Sequence, residues 1–170
     1  MSSPRANLLQ DLDMAMRRAS SQTVLFSQAV ASRLGLHPTD LGTLDILTRE
    51  GRLTAGRLAE LTGLSTAATT SLIDRLERSG FARRVRDPVD RRKVFVEVDE
   101  DRAIRDILPL YAAFSEALAR MSRAYSDDEL ARFRDFARDS YRILLEETKR
   151  VWDAAVPSGH DGTRRGTDRT

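Results

Sequence analysis

The sequence predicts a mainly α-helical fold with a small β wing: a winged helix-turn-helix domain over residues 38–98, flanked by helical dimerisation segments at 7–34 and 100–152. Three observations predict it. Residues 53–79 have the spacing of a short helix, a tight turn and a second helix. Residues 81–98 alternate as a two-stranded ribbon around a basic loop. Both ends of the chain carry apolar residues at helical spacing.

In the helix-turn-helix, Ala59 and Gly63 stand four apart. The small residue lets the second helix cross closely over the first, and glycine can take the positive φ of a sharp inter-helix turn. Ser65 offers its hydroxyl as an N-cap to the next helix, whose buried face is Leu72, Ile73 and Leu76. Gly80 ends that helix where a left-handed residue is wanted. Val94, Val96 and Val98 alternate with Phe95 and Glu97 as a half-buried strand, and Phe81 to Arg86 supply its partner. The loop between them, DPVDRRK, is too long for a two-residue hairpin turn.

Charge is concentrated here. Between Arg75 and Lys93 there are eight cations and three anions, while the whole chain carries only +2. A basic patch confined to one ribbon is the electrostatic footprint of a polyanion site.

LAELTGLS, the helix end DRLERSGFARR and the wing DPVDRRK together resemble the MarR family of winged-helix transcription regulators, more weakly over about residues 8 to 150. The resemblance implies a homodimer bound to double-stranded DNA, most often as a repressor. It also implies a small, often aromatic or anionic effector held between the dimer helices and the DNA-binding domain. Two positions depart from the family pattern: Ser71 stands where relatives often carry a basic residue, and Thr69 where an inward aliphatic is usual.

Composition bounds the alternatives. At 170 residues, 41% hydrophobic, 32% charged and 6% aromatic, the chain suits one helical domain with an appendage. No run approaches 18 apolar residues, and MSSPRANLLQDLD lacks a basic segment followed by an apolar core, so the reading is cytoplasmic. With no cysteine there are no disulfides, thiolate metal sites or cysteine-based sensing. His37 and His160 are too few and too separated for a metal site, so no cofactor is expected.

Along the chain, Leu9, Leu12, Met16, Ala19, Thr23, Phe26 and Val30 form a heptad-type seam on one long first helix closed by Gly35. A second subunit or the chain's own C-terminal helices can cover it, and both are expected to. The next helix starts at Pro38 with Asp40 in its first turn, where the helix dipole favours a carboxylate, and Leu41, Leu44 and Leu47 face the core. His37 is either its N-cap or an effector contact; Phe26, Val30 and His37 are the candidate effector pocket, and equally good core and cap residues. Arg52-Leu53-Thr54 is the short third strand of the wing sheet. Thr54 caps the helix from Ala55 to Leu61, whose first N–H groups can face a phosphate.

After Val98, Asp99 caps a long helix reaching about Tyr125, with a bend or loosened turn at Pro109. Its apolar stripe is Ile104, Ile107, Leu108, Tyr111, Phe114, Leu118 and Met121. Ser126 and Glu129 form a capping box that opens a last helix on Leu130, Phe133, Phe136, Ala137, Leu144, Leu145, Thr148 and Val151, pinned by Trp152. The interface of a homodimer is then Leu9, Leu12 and Met16 with Phe133, Leu144 and Val151. Residues 153–170 read as a disordered tail, inert or weakly attracted to DNA.

The helix from Ser65 to Ser79 is the one to enter the major groove. It offers Ser65, Thr66, Ala67, Ala68, Thr70, Ser71 and, further along, Arg75 as the only long donor. With so few donors, base reading by this helix is modest and more discrimination falls to DNA shape. By resemblance, Arg91 reaches the minor groove and Asp90 holds it in pose, while Arg83, Arg84, Arg86, Lys93 and Arg92 complete the wing. One winged helix reads only a few base pairs, so a two-fold dimer on a pseudo-palindromic operator is expected. The competing readings are a winged-helix module that binds protein, against which the arginines argue, and an enzyme, for which no nucleophile–base pair or phosphate loop can be assembled.

Overall fold

The computed structural model describes residues 3–155; the tail from 156 on, with His160, lies outside them. The chain divides into one unit up to Glu116 and a second from Ala117.

In the first unit, α1 (Pro4–Leu34) is capped by Ser3 and closed by Gly35. Then come α2 (Pro38–Glu50), β1 (Leu53–Thr54), α3 (Ala55–Thr62), α4 (Thr66–Arg78), β2 (Ala82–Arg86) and β3 (Val94–Val98). The sheet is antiparallel in the order β1-β3-β2, so β3 is central. β2 and β3 run in register from Ala82 opposite Val98 to Arg86 opposite Val94. The short strand Leu53–Thr54 closes the other edge against Val96 and Phe95, one residue shorter than the sequence implies.

Helix ends obey local chemistry. Thr54 Oγ1 accepts from the Arg57 N–H, Ser65 Oγ from Ala68, and His37 Nδ1 from Thr39, so each side chain satisfies a donor with no partner inside its helix. Gly63 (φ 68°) and Gly80 (φ 74°) sit in the left-handed region that the two turns require. At Gly80 the Phe81 N–H returns to the Leu76 carbonyl and drops Phe81 into the core.

That core joins the predicted faces. Leu41, Leu44 and Leu47 of α2, Leu58 of α3, Leu72, Ile73 and Leu76 of α4, Phe81 and Val96 are all buried, with Val30 and Ala31 of α1 against them. Burying these side chains, each worth about 1.5–3 kcal/mol, is what fixes α4 against α2 and the sheet. The first helix is divided. Phe26 packs edge-on to Tyr111 at 5.2 Å and Val30 is buried, whereas Leu9, Leu12 and Met16 stay exposed.

Asp99 caps as expected, but the segment after it is not one continuous α-helix. A single turn, α5 (Glu100–Arg102), leads into a π-helical turn at Ala103–Ile107, and then α6 (Leu108–Ser122). Pro109 has no N–H for an i−4 carbonyl and its ring crowds that turn, so the helix widens just upstream of it. Only Ile107, Leu110 and Tyr111 of this stretch reach the core of the unit; Ile104, Leu108 and Phe114 remain exposed.

In the second unit α6 ends at Ser122, three residues short of Tyr125, and a turn leads to α7 (Asp127–Ala155). The capping box is formed: the Glu129 N–H donates to Ser126 Oγ at 3.3 Å and the Ser126 N–H to Glu129 Oε2 at 2.8 Å. The bonds that the Glu129 carboxyl accepts from the Ser126 N–H and hydroxyl hold it below its ordinary pKa. The last helix continues to Ala155, three residues past the boundary at 152 that the sequence implies. Its apolar residues Phe133, Phe136, Leu144, Leu145 and Val151 are exposed within the described chain, and Trp152 is 42% exposed rather than a buried pin.

Candidate nucleic-acid interface

α4 presents a face to solvent as the sequence implies. Ser65, Thr66, Ala67, Ala68, Thr70 and Ser71 are all exposed, while Thr69 is buried and donates its hydroxyl to the Ser65 carbonyl at 3.0 Å. A threonine satisfied by its own helix can therefore occupy an aliphatic position. Thr70 donates likewise to Thr66, leaving only its acceptor capacity, and Ser65 Oγ is engaged as the cap. On this face, the hydroxyls with no partner among the described residues are those of Thr66 and Ser71.

Arg75 is not the free donor that the sequence implies. Its Nε and Nη2 donate to the two oxygens of Asp40, at 3.0 and 2.6 Å, which further favours the charged guanidinium. Asp40 is 1% exposed, so its role exceeds the complement to the α2 dipole that the sequence suggests. Removing one member of a fully buried ion pair costs about 3–5 kcal/mol. With the Arg75 side chain 41% exposed, the lower end applies here.

The ribbon sorts its cations into two groups. Arg83 is paired with Glu97, directly opposite on β3, at 2.8 Å. Arg84 is held by Glu77 and, at 2.7 Å, by Asp74, both on α4. Both guanidiniums have their pKa raised, chiefly by the hydrogen bonds they donate to Glu97 and Asp74 respectively. These two arginines therefore brace the sheet and the helix rather than stand free. Arg86, Arg91 and Arg92, by contrast, form no ion pair among the described residues, and Lys93 meets only the diffuse field of Asp87. All four side chains are exposed.

The tip is organised by Asp87, a residue that the charge pattern alone does not single out. Its Oδ1 accepts from the Val89 and Asp90 N–H groups at 2.8 and 2.9 Å, and its own N–H donates to the Lys93 carbonyl at 3.0 Å. These backbone bonds, helped by Arg52 at 3.5 Å, lower the Asp87 pKa. Arg52 also lies over the Phe95 ring at 4.7 Å, securing the base of the wing. Asp90 does not grip the Arg91 guanidinium; its carboxylate accepts from the Arg92 N–H at 3.2 Å and so shapes the turn. The Asp-Pro step was the available signal for a side chain closing its own turn.

Thr54 sits at the start of α3 as a cap, half-buried, with its hydroxyl occupied by the Arg57 N–H. Phe26 lies in the Tyr111 cluster, Val30 in the core, and His37 is an exposed cap; none of the three lines either hollow beside α2. A mostly apolar hollow of about 310 Å³ lies instead against α2 and the π turn, lined by Leu41, Leu44, Asp45, Thr48, Ala103, Ile104, Ile107, Leu108 and Tyr111. A more polar one of about 640 Å³ lies between the end of α2, the root of the wing and α5. Among the described residues no cluster of side chains suits a metal ion, and no helix is long and apolar enough to cross a membrane.

Residues 34–93, which hold this interface, match the family model described as MarR family. The chain is 40% identical over 147 residues to the uncharacterized HTH-type transcriptional regulator YcgE of Bacillus subtilis (strain 168), covering 86% of this chain and 95% of that protein. Its fold is similar to a MarR family protein from Bacillus stearothermophilus (TM-score 0.62, 25% identity, 85% of this chain and 99% of that one). It is also similar in fold to apo wild-type MarR from E. coli (TM-score 0.53, 18% identity, 76% and 95%). A buried helix-turn-helix core, the exposed face of α4 and a cationic wing thus coincide with a relative that matches 86% of the chain, and the chain belongs to the MarR family of transcriptional regulators.

Proposed function

We propose that this regulator is a cytoplasmic homodimeric repressor that binds a pseudo-palindromic operator in double-stranded DNA and is released by a small-molecule effector. The observation that carries DNA binding is the exposed, unpaired quartet Arg86, Arg91, Arg92 and Lys93 on a ribbon next to an exposed helix face. A cation already matched by a protein carboxylate gains little from a phosphate; one that no carboxylate grips through an ion pair gains more. α4 enters the major groove through Thr66, Ala67, Thr70 and Ser71, whose methyls and hydroxyls suit thymine methyl groups and phosphates. Arg91 at the tip enters the adjacent minor groove, where a narrow, electronegative channel favours a guanidinium.

Dimerisation is supported by exposed apolar residues in each unit: Leu9, Leu12 and Met16 on α1 of the first, and Phe133, Leu144 and Val151 on α7 of the second. A dimer covering promoter DNA represses by excluding polymerase. For the effector, the hollow beneath Tyr111 has the volume of a small ligand. Its walls carry Asp45 and no cation, so they favour an uncharged aromatic over an anion.

The test is selection of bound duplexes from a randomised pool, then footprinting. Enrichment of an inverted repeat with half-sites about one helical turn apart is the expected result. Recovery of single half-sites, or of no sequence, would contradict it.

A further inference from the structure

Asp40 is a buried carboxylate whose two oxygens are both taken by one guanidinium, 35 residues away on α4. The bond ties the first turn of α2 to the last turn of α4, where Arg75 lies between Leu72 and Leu76 of the buried face in sequence. An arginine that left Asp40 to reach a base would strand an anion beside Leu41 and Leu44, and isolating a carboxylate in such surroundings outweighs what a guanine or phosphate returns to a half-exposed cation. Helix geometry agrees. At 3.6 residues per turn, Arg75 stands roughly 110° round α4 from the middle of its buried face, on the flank that meets Asp40; Thr66 and Thr70 lie on the opposite flank, and Ala67 and Ser71 stand roughly 150–170° round and point straight outward.

We infer that Arg75 is a positioning residue: it sets the seat of α4 against α2 through Asp40, stays paired when DNA is bound, and neither reads a base nor takes up a phosphate. This rests on the DNA-binding function proposed for the interface. Its consequence is a division of labour. The groove-entering part of α4 contributes shape, methyls and hydroxyls, and the cationic share of binding comes from the wing. Asp40, remote from the exposed face, then matters to DNA affinity as much as Arg75 does.

The experiment is fluorescence anisotropy with a duplex selected from a randomised pool by the wild-type protein, over a series of salt concentrations. The variants are Arg75→Gln, Asp40→Asn, the double change Asp40→Leu with Arg75→Met, and Arg91→Ala as a control, with thermal melts recorded for each. Arg75→Gln and Asp40→Asn are each expected to weaken binding by about tenfold, or ~1.4 kcal/mol, uniformly across base substitutions in the duplex and with the slope of log K against log salt unchanged. The double change fills the site with apolar side chains, which often replace a buried ion pair without loss, and is expected to recover most of the affinity although it carries no guanidinium at 75. Arg91→Ala is expected to flatten the slope by about 0.9.

The inference is overturned if Arg75→Gln flattens the slope or relaxes preference at one base pair while Asp40→Asn binds as wild type. It is equally overturned if neither single change alters affinity, or if the double change binds no better than Arg75→Gln. A wild-type protein that ignores duplex DNA at low salt would remove the DNA-binding function itself, and this inference with it.

Discussion

Arg83 and Arg91 lie on one ribbon and carry the same charge, yet their surroundings differ. Arg83 faces Glu97 across the strand pair; Arg91 at the tip faces water. An exposed cross-strand pair contributes little to stability, roughly 0.2–1 kcal/mol, but it does mask the charge toward DNA. Arg91→Ala is therefore expected to weaken duplex binding and lower its salt slope by about 0.9, while Arg83→Ala leaves the slope unchanged. Anisotropy titrations at several salt concentrations separate the two; equal slopes for both variants would contradict the sorting. Asp87 makes a second prediction. Its pKa is lowered in the folded wing by the N–H groups of Val89 and Asp90 and by Arg52, so its contribution is complete above the unfolded-state value of about 3.9 and is lost as pH falls through the lowered folded value. Amide exchange at Val89 and Asp90 should be protected at neutral pH, and faster in Asp87→Asn. Protection unchanged in that variant would mean that the turn closes without the carboxylate. The charge excess of the wing was legible in the sequence, because it is a matter of composition. Which cations were already spent on Glu97, Glu77, Asp74 and Asp40 was not. Those partners become neighbours only once strand register and helix packing are set, although a ribbon centred on DPVDRRK does place Arg83 opposite Glu97.

At the scale of elements, helix ends were the most legible features because a cap is chosen within four residues of itself. Ser65, Thr54, Asp99 and the Ser126–Glu129 box all form the bonds that their spacing implies. Ser65→Ala is expected to cost about 1 kcal/mol of stability, read by chemical denaturation, and, if the first turn of α4 enters the groove as proposed, to weaken DNA binding by more than that loss alone explains. A variant as stable and as tightly bound as wild type would show that the Ser65 cap is dispensable. Pro109 announced a disturbance but not its form. Whether a helix kinks, breaks or widens into a π turn depends on packing on both sides, here Ile107 and Tyr111 against the core. The π turn borders both hollows through Ala103 and Ile104, so the segment joining the winged helix to α6 also forms the wall that a ligand would touch.

For the whole molecule, the balance of exposed apolar surface points outward from the single chain. Of the α1 seam, only Phe26 and Val30 are satisfied internally, by Tyr111 and the core, while the stretch from Leu9 to Thr23 is exposed. A sequence seam cannot say which of its residues a chain covers for itself, and only the packed structure divides it. Leu12→Glu is expected to shift the protein toward single subunits in sedimentation and to weaken operator binding with it; a dimer undisturbed by that charge would place the interface elsewhere. The central claim is that paired subunits hold duplex DNA through the four unpaired wing cations. It is tested most directly by titrating a labelled duplex with the wild-type protein at graded salt. Four cations from each of two subunits, at about 0.9 per phosphate, predict a slope of log K against log salt near −7, with binding readily measured in dilute buffer. A flat salt response, or no binding at low ionic strength, would contradict it.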